Sequence, residues 1–167
     1  IENARLYQSE VRTREEVALL RDYNQSILDN LNSGVFVIDA EGQVQFWNHT
    51  LEQLLEIPRD SILHRNLFEQ VAHLAPHAEK VRHIARTRRP YPIDRLTRQT
   101  DSRGEVTESY RFQPLLREEQ LAGILGVVED LTLRVKLDSQ LIRSERLAAV
   151  GELAAGALEA ERGELDV

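Results

Sequence analysis

The chain has 167 residues, 41% of them hydrophobic, and 21 Lys and Arg against 28 Asp and Glu leave a net charge of −7. That is apolar content for one core of ordinary size, and the acidic balance argues against nucleic acid as the main partner, since a phosphate-binding surface carries a basic excess. The lack of Cys excludes disulfides, thiolate zinc sites and cysteine nucleophiles. The longest apolar run falls far short of the roughly 20 residues that span a bilayer, so the chain reads as soluble and cytoplasmic, with no membrane span.

In chain order, residues 1–31 read as helix. Helix formers dominate, Gly and Pro are missing, and Val17, Leu20, Asn24, Ile27 and Leu31 form a three-four seam. Ala4, Tyr7, Val11 and Ala18 form a second seam out of phase with the first. Thr13 and Glu16 between them fit a capping box, so either two helices meet near Thr13 or one helix carries a phase shift. Asn32-Ser33-Gly34 breaks this helix. Residues 35–38 and 43–47 then predict a hairpin around the Asp39-Ala40-Glu41-Gly42 turn. A short helix follows over 48–55, with Asn48 and Thr50 as competent N-caps and Pro58 ending it.

Residues 64–75 predict short turns carrying Leu67, Phe68, Val71 and Leu74, and Pro76 starts a helix to Arg88 with Val81, Ile84 and Ala85 inward. Residues 93–100 and 105–116 form the next two strands, joined by Asp101-Ser102-Arg103-Gly104. In the second, Val106, Glu108, Tyr110 and Phe112 share one face. Leu121 to Val128 is a buried strand, entirely apolar or glycine. Beyond Glu129 to Thr132 the spacing becomes helical, with Leu133, Leu137, Leu147, Val150, Ala154 and Ala157 in a seam. The expected architecture is α+β: a five-stranded antiparallel sheet with short helices on one face, flanked by long coiled-coil-type helices at both ends.

That order, together with Phe46-Trp47-Asn48, Glu52-x-Leu54-Leu55 and the closing Asp130-Leu131-Thr132, resembles a PAS domain over roughly residues 27–132. Leu147 to Gly156 (LAAVGELAAG) is similar to the first helix of the dimerisation and phosphoacceptor domain of sensor histidine kinases. Residues 1–7 resemble the last helix of a GAF domain. These resemblances divide the chain into an N-terminal signalling helix (1–31), a PAS domain (32–132) and a linker helix with a truncated dimerisation helix (133–167). They imply a sensory and dimerisation module of a two-component sensor histidine kinase. Such a module forms a homodimer through its flanking helices, takes a small-molecule ligand as one candidate partner, and reaches a response regulator only through a kinase core.

The kinase resemblance stops at Glu159, which stands where that family carries its phosphoaccepting histidine, and Ala160 stands where its Glu should be. A carboxylate cannot form a phosphohistidine, and no nucleotide-binding segment is present, so no autokinase activity and no catalytic residue are expected. With no Met, initiator included, the chain reads as a piece of a longer protein, or as a processed or engineered one.

Two sets of site residues follow. Asp130, Leu131, Thr132 and Arg134 are the candidate signal joint, with Asp130 and Arg134 four apart and able to pair. Phe36, Ile38, Phe46, Leu55, Phe68, Ile84, Tyr110, Phe112 and Ile124 are the candidate ligand pocket or packed core. His73 and His77 are four apart, but Pro76 between them and the lack of a third ligand speak against a metal site. Some PAS domains hold haem through a histidine in the region of His77 or His83; the flanking glycines are missing here, and the cofactor stays unknown. Adduct-forming flavin photochemistry needs a cysteine and is excluded. A ligand-free dimerisation scaffold and a haem-binding sensor stand as the alternatives. Arg82, Arg86, Arg88, Arg89, Arg95, Arg98 and Arg103 form a basic region that reads as a solvated face.

Overall fold

In a computed structural model, which describes residues 2–30 and 32–165, six α-helices and a short 3-10 helix surround one five-stranded sheet. The chain begins with α1 (Glu2–Asn30), then β1 (Gly34–Ile38), β2 (Val44–Trp47), α2 (His49–Leu55), α3 (Arg59–Ile62) and α4 (Leu67–Gln70). A 3-10 helix (Ala72–His77) leads into α5 (Ala78–Thr87), and β3 (Tyr91–Thr100), β4 (Gly104–Arg117), β5 (Gln120–Asp130) and α6 (Thr132–Leu165) complete it. The strand order is β2-β1-β5-β4-β3, antiparallel throughout. The last strand therefore lies in the middle, between the first strand and the β3-β4 hairpin.

Local chemistry explains most boundaries. Asp39 closes the first hairpin: its Oδ1 accepts the amides of Glu41 (3.1 Å) and Gln43 (2.8 Å), and Gly42 takes the left-handed backbone at φ 89°. Of the two alternatives at Thr13, α1 takes the single continuous helix. Thr13 Oγ1 donates to the Ser9 carbonyl at 2.9 Å inside one continuous helix, the i−4 bonding that a mid-helix Thr adopts when nothing pulls its backbone open. Asn48 rather than Thr50 caps α2, and α2 ends at Glu56 (φ 58°) before Pro58 is reached. Pro76 does not start α5; it sits in the preceding 3-10 helix, whose backbone φ range includes the value that its ring fixes.

The core lies between the sheet and the short helices. Phe36, Trp47, Leu51, Ile62, Leu67, Leu74, Tyr110 and Phe112 all have 1% of their surface or less exposed. By contrast, α1 and α6 leave apolar side chains uncovered, Leu20, Ile27, Leu137 and Leu147 among them. No helix of the described residues is long and apolar enough to cross a membrane.

Candidate functional site

The candidate joint lies where β5 hands over to α6, with Leu131 alone between them. The Leu131 amide donates to the Thr107 carbonyl at 2.8 Å. The Thr132 hydroxyl accepts the Thr107 amide at 3.0 Å and lies 3.4 Å from the Thr107 carbonyl. Two successive residues thus fasten the start of α6 to one backbone residue of β4. Asp130 Oδ1 accepts the Thr132 amide at 2.9 Å, and Oδ2 accepts from the Arg103 guanidinium. Partial burial pushes the Asp130 carboxyl up, but hydrogen bonds from Thr132 and Arg103 outweigh it and hold the group below the usual carboxylate range.

The expected Asp130–Arg134 pair does not form. Asp130 belongs to the strand, ahead of the first helical residue, so helical i,i+4 geometry does not apply. Its partner is Arg103 in the β3-β4 turn, twenty-seven residues away in sequence. Arg134 lies along a shallow surface groove with Asp94, Arg95 and Asp138.

Of the candidate pocket residues, Phe36, Ile38, Leu55, Phe68, Ile84, Tyr110, Phe112 and Ile124 meet in one buried cluster. Phe46 does not. It pairs with Val37 on the outer face of the sheet, half-buried, with the Arg59 guanidinium 5.9 Å from its ring centre. The register shift opposite Val37 and Ile38 turns Val44 and Trp47 inward in its place. Inside, the Phe36 ring meets Phe112 edge-on at 5.7 Å between centroids and Trp47 at 6.0 Å. Phe36 lies flat over Gly126, where an added methyl would overlap its ring.

A buried polar chain crosses the β3 side of this core. Glu108, with no exposed surface, accepts two bonds from Arg98: Nη2 to Oε1 at 2.7 Å and Nε to Oε2 at 3.0 Å. Arg98 Nη2 also reaches the Leu54 carbonyl at 3.3 Å, which ties β3 to α2. Tyr110 Oη donates to Glu108 Oε2 at 2.7 Å, so its oxygen is left to accept from His73 Nε2 at 2.8 Å. Burial and the neighbouring Glu108 carboxylate push the Tyr110 hydroxyl far up, and burial, then Arg98, pull His73 below its ordinary value. Sequence reading had placed Glu108 on the apolar face without giving it a task; a lone carboxylate among Val106, Tyr110 and Phe112 was the available signal.

Two further histidines also have partners. His77 Nδ1 lies 2.9 Å from the Tyr91 hydroxyl, and burial lowers its pKa. His83 Nδ1 lies 3.2 Å from Arg86 Nη2 on the exposed side of α5. Among the described residues, no group of three or more His, Asp or Glu is placed to hold a metal.

Asn48 joins the entry side. Its Oδ1 accepts the Val35 amide (2.8 Å) and the Leu51 amide (3.0 Å), while Nδ2 donates to the carbonyls of Leu28 (2.8 Å) and Ser33 (3.1 Å). One fully buried amide thereby caps α2, holds β1 and ties down the C-terminal turn of α1. Its capping role was legible in the sequence, but its bond to α1 was not.

These features match known proteins in fold. A PAS domain from Colwellia psychrerythraea superposes with a TM-score of 0.55 at 16% identity, over 68% of this chain and 98% of that one. The PAS domain of an HTR-like protein from Haloarcula marismortui gives 0.57 at 12% identity, over 71% and 98%. An RNA-binding Light-Oxygen-Voltage receptor gives 0.59 at 18% identity, over 80% of this chain and 38% of that one. No curated protein sequence matches. The family description "PAS fold" matches residues 22–131, most of the chain, and with the sheet order and the helix joints it identifies this protein as a member of the PAS family.

Proposed function

We propose that this chain is the sensory and dimerisation module of a two-component sensor histidine kinase, in which changes in the PAS core reach α6 through Asp130, Leu131 and Thr132. The observation that carries this reading is the double attachment of Leu131 and Thr132 to Thr107, braced by Asp130 on Arg103. A shift of β4 or of the β3-β4 turn then moves the root of α6 as a body, and a long helix amplifies a small displacement at its base. The exposed apolar side chains along α1 and α6 support pairing with a second copy, since a partner helix would take them out of water. The kinase assignment rests on the similarity of residues 147–156 to a dimerisation helix. Glu159 leaves the phosphoryl chemistry outside this chain.

The aromatic packing favours one variant of this reading. Phe36, Trp47, Tyr110 and Phe112 fill the space beneath the sheet with rings in mutual contact, which supports a module that responds to its partners and dimer state rather than to an enclosed ligand. The test joins the chain through α6 to an active kinase core and compares wild type with Asp130→Ala and Thr132→Val. Loss of signal-dependent regulation, with the fold and basal phosphorylation retained, is the expected result. Normal regulation in both variants would rule the joint out. Native mass spectrometry of the same preparation separates the two variants, because a retained small-molecule or haem mass would favour the ligand-sensing one.

A further inference from the structure

The β4-β5 hairpin continues past the rest of the sheet. β3 pairs with β4 only as far as Phe112, opposite Tyr91, and β1 pairs with β5 only from Ile124 onward. Among the described residues, 115–117 and 120–123 therefore pair only with one another, as a short two-stranded arm with both edges open. Leu115 and Leu116 on this arm are 38% and 50% exposed. Its tip is a two-residue turn in which Glu118 and Glu119 both adopt the left-handed backbone, at φ 50° and 65°. Such turns favour Asn and Gly, and two glutamates there are strained. Strain at an exposed tip points to a use for the side chains.

At the root of the same arm lies a groove of about 530 Å³ between the end of α5 and the start of β3. Ile84, Pro90 and Tyr91 line it, and Lys80, Arg86 and Arg89 stand around it. Glu79, also at the groove, is held by Arg82 at 2.5 Å. We propose that the arm of one copy docks in the groove of a second copy, with Leu115 and Leu116 on the apolar lining and Glu118 and Glu119 against the basic rim. The match is one of charge and polarity together: an apolar stem with an acidic tip meets an apolar trough with a cationic edge. Tyr91 of the groove pairs with Phe112, the last residue of β4 that β3 covers, three positions before Leu115, so both halves lie at the same end of the molecule. A two-fold axis at that end lets both arms engage at once, an isologous contact between PAS cores distinct from any pairing of α1 and α6.

The chain has no cysteine, which makes the test direct. Leu116→Cys and Thr87→Cys are placed in separate full-length chains, mixed and mildly oxidised, with Leu116→Cys plus Asp60→Cys as the control pair. The expected result is a mixed Leu116→Cys/Thr87→Cys disulfide that exceeds both homodisulfides and the control. Adding Glu118→Arg and Glu119→Arg to the arm should reduce the mixed product several-fold, and Arg86→Glu with Arg89→Glu in the groove chain should restore it. A mixed product no higher than the control, a dominant Leu116→Cys homodisulfide, or a charge swap that fails to restore cross-linking would each overturn the contact. The link is read between two positions of the PAS core, so failure of helix pairing leaves a different trace: the disulfide forms while the flanking helices stay unpaired by residue-specific exchange.

Discussion

Arg98 reaches diagonally across the β3-β4 ladder to Glu108 through two hydrogen bonds of 2.7 and 3.0 Å, and Glu108 is completely shielded from solvent. Removing one partner strands the other charge in the core. Arg98→Met or Glu108→Leu alone is expected to cost about 3–5 kcal/mol in denaturant unfolding, and the double replacement much less than the sum. Equal and additive losses would show that the two residues act independently.

The histidines set an acid limit. Burial holds His73 and His77 below the ordinary value of 6.5, so the folded state prefers both neutral while the unfolded chain takes up protons first. Their contribution is complete above pH 6.5 and is lost as pH falls through the depressed folded values. Asp130 adds a second window: its lowered carboxyl contributes above 3.8 and loses that contribution as pH falls further. Urea midpoints should therefore decline in two steps, and His73→Gln should flatten the first.

Phe36 and Gly126 are a matched pair on adjacent strands. Gly126→Ala sets a methyl against a ring already held by Trp47 and Phe112, and is expected to destabilise by about 1–3 kcal/mol. Phe36→Leu made in the same chain should recover part of that loss. A double-mutant cycle with no coupling would mean that the ring moves aside freely.

Asn48 separates capping from tethering. Asn48→Asp keeps an oxygen for the Val35 and Leu51 amides but sets a carboxylate against the Leu28 and Ser33 carbonyls. Hydrogen exchange should rise at the C-terminal turn of α1 more than in α2, whereas Asn48→Ala should loosen both, at about 0.5–2 kcal/mol for the lost cap alone.

The element order, the hairpin turns and most of the buried set were readable directly from the residues. Turn chemistry at Asp39 and Gly42, the period-two pattern of 106–112 and the apolar run 121–128 are local, and each depends on neighbours a few positions away. Phe46 went to the wrong face because one extra residue in a ladder inverts the pattern after it, and a bulge leaves no mark in a single strand. The partner of Asp130 was misplaced for a related reason. Spacing pointed to Arg134 along one helix, but the carboxylate belongs to a strand end, where the β3-β4 turn brings Arg103 beside it. The polar chain from His73 to Arg98, the tether from Asn48 to α1 and the free-standing arm of β4 and β5 all join positions distant in sequence. Pattern alone establishes most of the residues that go inside. Which of them touch is decided only when β5 inserts between β1 and β4 and closes the sheet.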